Sequence, residues 1–152
     1  PKKRIINCRS EEVERKKLFS ESFLHYPCLV PADGFYEWKE KEPYYFFLKG
    51  RKLFFLFSFL LNKESVIVLT IEANELLMPI HHRMPVIGDW KKGEKWLSPG
   101  LSMEERKRLC QIFPPEKMEY YPVHPKVNST QHDGPELIQP FLAKKVKQKF
   151  LF

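Results

Sequence analysis

Short apolar runs, rich in aromatic and β-branched residues and separated by turn residues, constrain the fold of this chain most strongly. Tyr44–Leu48, Leu53–Leu61 and Val66–Ile71 are three such runs, and Gly50 lies between the first two. Because aromatic and β-branched side chains fit a pleated, half-buried surface, these runs predict β-strands. Successive short strands separated by turns are typical of antiparallel architectures. The chain is therefore predicted to be dominated by an antiparallel sheet or barrel.

A few short helices and further strands complete the predicted architecture. Spaced apolar positions among charged residues predict helices over residues 11–25, 90–97 and 102–112. In the third of these, Ser102 and Glu105 have the spacing of a capping box, which marks the start of a helix. The remaining predicted segments are strands at residues 28–30 (ended by Pro31), 35–39 and 118–123, one or two helical turns at residues 72–77, and an ordered segment at residues 135–140.

The length of 152 residues is typical of one domain with its own hydrophobic core. No internal repeat or long linker interrupts the pattern. We therefore expect a single α+β domain over residues 1–143, predominantly antiparallel and barrel-like, with a few short helices. Residues 144–152 form a basic tail with four lysines, which is either a solvated chain end or a phosphate contact.

The charge balance is compatible with a polyanionic partner. Lys and Arg number 26 against 19 Asp and Glu, for a net charge of +7. This surplus suits nucleic acid, although many basic proteins bind none.

Cys8, Cys28 and Cys110 are odd in number and lack CxxC spacing, which favours free thiols. No apolar run reaches the length of a membrane span, so we expect a cytoplasmic protein, or a nuclear one in a eukaryote.

One carboxylate lies between aromatic residues in a predicted strand. Glu37 follows the Asp33-Gly34 turn and is flanked by Tyr36 and Trp38. Loss of solvation favours the protonated carboxyl, and a Glu with a raised pKa can act as a general acid or base. The alternative is a strand whose polar face simply carries a glutamate.

Two further positions carry side chains suited to proton transfer or orientation. Asn7 interrupts the strand-like start of the chain, and His81 precedes another strand-like segment. Histidine titrates near neutral pH, and asparagine offers both a donor and an acceptor.

Because adjacent side chains on an extended segment point to opposite faces, His81 and His82 are not expected to share a metal ion. No zinc-ligand spacing is present, and we expect no metal and no cofactor.

Four segments, taken together and in order, resemble the SRAP (SOS response-associated peptidase) family. They are INCRSEE, CLVPADGFYEW, LTIEANELLMPIHHRMPV and VNSTQHDGPELIQP. The family comprises abasic-site-processing proteins that link covalently to single-stranded DNA, and the resemblance extends from about Ile5 to Pro140. It implies the SRAP fold and, as the partner, single-stranded DNA that contains abasic sites.

The resemblance also implies a mechanism and catalytic residues. In the family, an amino-terminal cysteine condenses with the ring-opened sugar aldehyde through its amine and closes a thiazolidine through its thiol. Asn7 matches the asparagine beside that cysteine, Glu37 the acid–base glutamate and His81 the catalytic histidine. Lyase and self-processing peptidase activities are attributed to the same site, and all of these reactions require proton transfers.

Four residues match positions of the family that face DNA. Arg9 and Arg83 match positions near phosphates, whereas Trp38 and Thr70 line the same groove. Phosphate contacts provide affinity without sequence specificity, and an aromatic ring can stack on an unpaired base. For Arg83 the alternative is a surface salt bridge, and for Trp38 it is a place in the core.

The chain departs from the family pattern in several respects. His82 replaces a usual Asp, Cys8 a usual Ala and His132 a usual Asn. The amino-terminal cysteine is also absent, so we expect residues 1–152 to be the carboxy-terminal portion of the domain, with the amino-terminal remainder as a partner. By this interpretation the portion alone cannot form a thiazolidine. It should also fold poorly, because strand Leu53–Leu61 would lack partners.

The expected function is therefore the recognition and covalent processing of abasic sites by a monomeric protein of the DNA-damage response. A non-catalytic nucleic-acid-binding module on the same β-rich scaffold is the main alternative. A peptidase acting on other proteins is a third, less favoured because no second nucleophile is evident.

Overall fold

Two β-sheets form the framework of residues 6–142, the part of the chain that this computed structural model describes. Nine strands lie within these residues. In chain order they are β1 (Asn7–Arg9), β2 (Pro27–Ala32), β3 (Phe35–Lys39), β4 (Glu42–Leu48), β5 (Phe54–Leu61), β6 (Ser65–Glu72), β7 (Arg83–Pro85), β8 (Ile87–Gly88) and β9 (Met118–Pro122).

The pairing of these strands is mostly antiparallel. The larger sheet has the order β1-β6-β5-β2, with β7 paired to β6 and β8 paired to β5, and the smaller sheet has the order β3-β4-β9. Within residues 6–142, the one parallel pair of named strands is β1 with β6. The predicted α+β class with a predominantly antiparallel sheet is confirmed. The described strands form two open sheets rather than one closed barrel.

Three α-helices and four 3-10 helices accompany the strands in the described residues. The α-helices are α1 (Lys17–His25), α2 (Trp90–Leu97) and α3 (Met103–Arg108), and the 3-10 helices are Ser10–Arg15, Pro115–Lys117, Pro125–Asn128 and Pro135–Ile138. The predicted capping box is present, because the Ser102 and Glu105 side chains each bond the other's backbone N–H. Among residues 6–142, no helix has the length and apolar character needed to cross a membrane.

Three predicted helical segments differ from the structure. The single helix expected over residues 11–25 is divided at Lys16, whose backbone is extended, into a 3-10 helix and α1. The helix expected over residues 102–112 ends at Arg108. The helical turns predicted for residues 72–77 are displaced toward the C-terminus: residues 75–80 form turns in which Met78 and His81 each donate to the carbonyl four residues earlier. The amide of the Asn74 side chain and neighbouring carbonyls satisfy these turns locally, which spacing of apolar residues alone does not reveal.

Two predictions about strands are also wrong. Pro31 does not end β2 but pairs with Phe55, since β2 lies at the edge of its sheet, where the missing N–H of proline is tolerated. The strand predicted at Leu53–Leu61 does not lack partners. As β5 it pairs with β2 along one side and with β6 and β8 along the other.

Two main hydrophobic clusters hold these layers together. The first packs the larger sheet against α1 and α2, where the Trp96 ring stacks on Phe57 at 5.2 Å and meets Phe23 edge-on at 5.3 Å. The second lies between the two sheets and contains Phe46, Phe54, Leu77, Met84 and Met118 among its buried members. Because this second cluster joins β4 to the segment between β6 and β7, it positions the residues described below.

A buried arginine joins the ends of two helices. Arg106 on α3 is fully buried, and its guanidinium donates hydrogen bonds to the backbone carbonyls of Trp96, Ser98 (3.0 Å) and Leu24 (3.3 Å). These carbonyls lie at the C-terminal ends of α2 and α1, which carry partial negative charge. Arg106 therefore acts as a shared C-terminal cap for both helices.

We expect Arg106→Ala to lower the free energy of unfolding by about 3 kcal/mol or more. The substitution leaves buried carbonyls without donors and opens a cavity beside Trp96. Chemical denaturation would measure the loss. Arg108→Ala, which removes an exposed arginine from the same helix, is the matched control and should change stability by less than about 0.5 kcal/mol. Equal effects of the two substitutions would contradict the capping role of Arg106.

Candidate functional site

A carboxylate and an imidazole from distant parts of the chain meet at one point on the surface. The Oε2 atom of Glu37 lies 3.5 Å from Nδ1 of His81. The side chain of Glu37 is 20% exposed and that of His81 is 37% exposed. The pair is therefore shielded enough to interact strongly and open enough to reach a ligand.

Strand β3 directs Glu37 toward the inter-sheet cluster. Phe35, two residues earlier, packs against this cluster, whereas Tyr36 packs against a separate cluster on the other face. Since side chains alternate along a strand, Glu37 lies on the face of Phe35. Gly34 sets the start of β3, because a Cβ atom at this position would lie 2.1 Å from the ring of Tyr45.

Burial raises the pKa of the Glu37 carboxyl above its ordinary value of 4.5. The charge of His81 and a hydrogen bond from the Trp38 backbone act in the opposite direction but do not outweigh burial. The predicted direction of the change in pKa is thus confirmed. Its source differs from the prediction, because strand alternation places the flanking Tyr36 and Trp38 rings on the opposite face from Glu37.

The loop between β6 and β7 positions His81 through a residue that sequence reasoning missed. Asn74 is buried, accepts a hydrogen bond from the Leu77 backbone at 3.1 Å, and donates one to the Phe113 carbonyl at 2.8 Å. The N–H of His81 in turn donates to the Leu77 carbonyl at 3.0 Å. A lone Asn after a predicted strand was the available signal, since such side chains commonly organise turns.

Two oxygen atoms lie close to Nδ1 of His81. They are the Arg83 carbonyl oxygen at 2.9 Å and the Glu37 carboxylate at 3.5 Å, whereas one backbone N–H, that of Arg83, lies at 3.2 Å. Two acceptors against one donor favour a proton on Nδ1. The remaining nitrogen, Nε2, then carries the lone pair that can accept a proton from a ligand.

The rings of His81 and His82 lie side by side. Their centroids are 4.8 Å apart, with an angle of 37° between the planes. The expectation that they point to opposite faces is wrong, because β7 begins only at Arg83 and the two histidines precede it. Residues 6–142 contain no group of three or more His, Cys, Asp or Glu side chains arranged to hold a metal ion.

Three of the predicted DNA-facing residues come together on one face of the larger sheet. Arg9 pairs in register with Thr70, and Arg83 pairs with Glu72 on the other side of β6. Asn7 precedes Arg9 by two residues and so shares its face. Arg9, Arg83 and His82 also line a surface cavity of about 300 Å³, together with Glu11 and Glu72. A row of polar and charged side chains of both signs therefore adjoins the Glu37–His81 pair through the segment 81–83.

Arg83 is occupied by partners within the protein. Its NH1 and NH2 groups donate to the two carboxylate oxygens of Glu11 at 3.0 and 2.8 Å. NH2 also donates to the backbone carbonyl and the hydroxyl of Thr70, at 2.8 and 3.2 Å. The salt bridge that the sequence left open as an alternative is thus present, and the phosphate-binding role of Arg83 stays a prediction.

Trp38 lies apart from this row. Its indole N–H donates to the Asn128 side chain at 2.6 Å, and its ring packs 6.1 Å from that of Tyr36. The side chain is exposed, so Trp38 is not a core residue. Because β3 is an edge strand, a DNA strand that contacts both Glu37 and Trp38 has to wrap around this edge.

The three cysteines are free and shielded. Cys8 is buried, and desolvation raises the pKa of its thiol to about 11. Burial likewise raises the pKa of the thiols of Cys28 and Cys110. The nucleophilic form of cysteine is the thiolate, which a low pKa favours. None of these three side chains has the low pKa that is typical of a reactive cysteine.

Comparison with known proteins identifies the family. A sequence model described as "SOS response associated peptidase (SRAP)" matches residues 1–130. The chain belongs to the SRAP family. This SRAP chain is 34% identical over 151 residues to the abasic site processing protein YoqW of Bacillus subtilis, a match that covers 90% of this chain and 67% of the relative.

A vertebrate relative and a solved structure agree with this assignment. The abasic site processing protein HMCES of Xenopus tropicalis is 31% identical over 162 residues, covering 86% of this SRAP chain and 48% of the relative. An X-ray structure of a protein from Bacteroides thetaiotaomicron superposes with a TM-score of 0.77 at 29% identity, covering 90% of this chain and 66% of that one. The chain thus spans about two thirds of the bacterial relative and about half of the vertebrate one.

The raised pKa of Glu37 predicts a pH-dependent effect of Glu37→Gln on stability. The folded state holds this proton more tightly than the unfolded chain, so the stabilisation is complete below pH 4.5 and is lost as the pH rises through the raised pKa. The Gln variant has no such loss. Its free energy of unfolding relative to the wild type should therefore rise as the pH increases from about 4.5 through the raised pKa. The rise should be about 1.4 kcal/mol for each pH unit that separates the folded-state pKa from the unfolded-state pKa.

Urea unfolding at a series of pH values would measure this difference. Glu40→Gln, on the exposed turn after β3, removes the same charge and controls for the change in net charge. A difference between the wild type and Glu37→Gln that stays constant with pH would contradict the raised pKa.

Proposed function

We propose that this SRAP chain processes abasic sites in single-stranded DNA, and that Glu37 and His81 carry out the proton transfers. The observation that carries the proposal is the 3.5 Å approach of a shielded carboxylate to an imidazole, in a chain segment that also lines the cavity of Arg9 and Arg83. The names of the bacterial and vertebrate relatives support the substrate. The whole-protein activity is proposed for the full-length polypeptide.

The proposed covalent step joins the ring-opened sugar aldehyde to an amine and a thiol of one residue. The amine nitrogen attacks the aldehyde carbon, and a proton passes from nitrogen to oxygen to give a carbinolamine. A general acid then protonates the hydroxyl, which leaves as water, and an imine forms. The thiol adds to the imine carbon while the nitrogen takes up a proton, closing a thiazolidine. By resemblance to the family, an amino-terminal cysteine supplies both groups.

Glu37 suits the dehydration step because burial raises its pKa and so favours the protonated form, which can act as a general acid. His81 suits the transfers to and from the amine through Nε2, while Nδ1 remains bound to the Arg83 carbonyl. Asn7 would orient the nucleophile. By resemblance to the family, the same acid–base groups would also serve the lyase and self-processing peptidase activities, because these reactions need proton transfers of the same kind.

Arg9, Thr70, Arg83 and Trp38 are proposed to bind the DNA strand. The two arginines would contact phosphates, Thr70 would support the Arg83 guanidinium, and Trp38 would stack on an unpaired base at the edge of β3. These contacts would provide affinity that does not depend on base sequence.

We expect Glu37→Gln and His81→Ala to slow covalent linkage, or its reversal, by about 10²–10⁴-fold with little change in DNA affinity. Neither substitution removes a proposed phosphate contact. The measurement is the rate of adduct formation between the full-length protein and a single-stranded oligonucleotide with one abasic site, followed on denaturing gels. His82→Asp, which introduces the residue usual in the family, is the control and should be tolerated.

Two outcomes would contradict this assignment. An inactive His82→Asp variant beside an active His81→Ala variant would mean that the catalytic role has been assigned to the wrong histidine. A full-length protein that binds the abasic strand but forms no adduct would favour a non-catalytic nucleic-acid-binding module.

Arg83→Ala should instead weaken DNA binding. Loss of one phosphate contact should make the slope of log affinity against log salt shallower by roughly 0.7–1 unit. Fluorescence anisotropy of a labelled oligonucleotide at several salt concentrations would measure both quantities, with His81→Ala as the comparison. The same affinity and salt slope for both variants would contradict the division between chemistry and binding.

A further inference from the structure

The side chain of Glu11 occupies the edge of the Arg83 guanidinium that carries its two terminal nitrogens. Each carboxylate oxygen accepts one hydrogen bond from a different terminal nitrogen of the guanidinium, at 3.0 and 2.8 Å. This parallel, two-bond geometry is the one in which arginine also binds phosphate. A phosphate group cannot take this position while Glu11 is there.

Other contacts hold Arg83 in place independently of Glu11. Thr70 accepts from NH2 through both its carbonyl and its hydroxyl, and the side chain of Arg83 is only 16% exposed. Its Nε atom is buried without a hydrogen-bond partner among residues 6–142. The two bonds to Thr70 would keep the guanidinium in its orientation if the carboxylate moved away, and NH1 would become available as a donor.

Glu11 is placed where it can move. It lies in the 3-10 helix Ser10–Arg15, directly after β1, and its side chain is 50% exposed. Burial alone would raise the pKa of this carboxyl. The hydrogen bond and charge of Arg83, a backbone hydrogen bond and the charge of Arg9 together outweigh burial, and the pKa is lowered. The group is thus ionised at neutral pH. Of the two partners, Glu11 is the more exposed, so solvent can take up its carboxylate when another anion binds the guanidinium.

We propose that Glu11 is a resident competitor for DNA phosphate, which must displace it from Arg83 when a strand binds. This inference rests on the proposed function, since it requires that Arg83 contacts DNA. Glu11 lowers the affinity for any single DNA strand, damaged or not, because it occupies Arg83.

Glu11→Gln should strengthen binding of single-stranded DNA by about two- to tenfold, because the neutral amide holds the guanidinium less tightly and no longer repels the phosphate. The salt dependence should change by much less than the 0.7–1 unit expected for a whole phosphate contact, because Arg83 contacts the same phosphate in both proteins once Glu11 is displaced. The gain should be similar for an abasic and an undamaged oligonucleotide of the same length. Anisotropy titrations of the full-length variant would measure all three quantities.

The matched control is Glu14→Gln. Glu14 lies in the same 3-10 helix, is 51% exposed and forms an ion pair with Lys107 at 2.8 Å. The substitution removes the same unit charge without releasing Arg83. Glu14→Gln should leave the affinity for DNA within about twofold of the wild type. If it gave the same gain as Glu11→Gln, net charge alone would explain the effect, and the proposal would be overturned.

A double substitution separates this inference from the proposed function. In an Arg83→Ala background, Glu11→Gln should give no further gain in affinity. If Arg83→Ala alone leaves binding unchanged, the DNA-contact role of Arg83 fails and the competitor role fails with it. If Arg83→Ala weakens binding and Glu11→Gln also weakens it, the DNA contact stands, and Glu11 instead holds Arg83 in its binding position, which would overturn the proposal. A urea unfolding curve for each variant confirms that folded proteins are compared.

Discussion

The hydrophobic cluster between the two sheets is the contact on which the candidate site depends. Phe46 and Met118 from the smaller sheet pack in it with Phe54 and Met84 from the larger sheet, and Leu77 joins them from the loop that leads to His81. Burial of these side chains is non-directional and strong. It brings β3 and this loop close enough for Glu37 and His81 to meet. The polar contacts of Asn74 then add direction, because a buried amide fixes the loop only in the conformation that satisfies it.

Two opposite electrostatic arrangements lie next to each other in this region. Glu37 is shielded, and burial raises its pKa despite the nearby imidazole. Glu11 is half exposed and directly paired, and Arg83 lowers its pKa. The difference reflects whether desolvation or a charged partner dominates. The arrangement at Glu37 suits a group that exchanges a proton. The arrangement at Glu11 suits an arginine, Arg83, that is held in place for an anionic ligand.

Much of the fold could be predicted because local patterns and tertiary structure agree. The aromatic runs of β4 and β5 and the β-branched run of β6 lie close to their predicted ranges, and the capping box at Ser102 starts α3. The errors occurred where a local rule depends on position in the fold. Pro31 is accepted in a strand because β2 is an edge strand. Arg106, about which the sequence pattern predicts nothing, is buried because two helix ends converge on it. Neither circumstance is visible in the neighbouring residues.

The sequence by itself determined the family and the residue types of the candidate site, since Glu37, His81, Arg9 and Arg83 lie within the motif blocks that carry the resemblance. Only the tertiary structure decided which atoms meet. It set Glu37 against His81, placed Trp38 on the opposite face of β3, and joined Glu11 to Arg83 across 72 positions of the chain. The physical reason is that such contacts depend on strand register and on packing between layers. A one-residue change in register would move these side chains to the other face while leaving the composition of every motif unchanged.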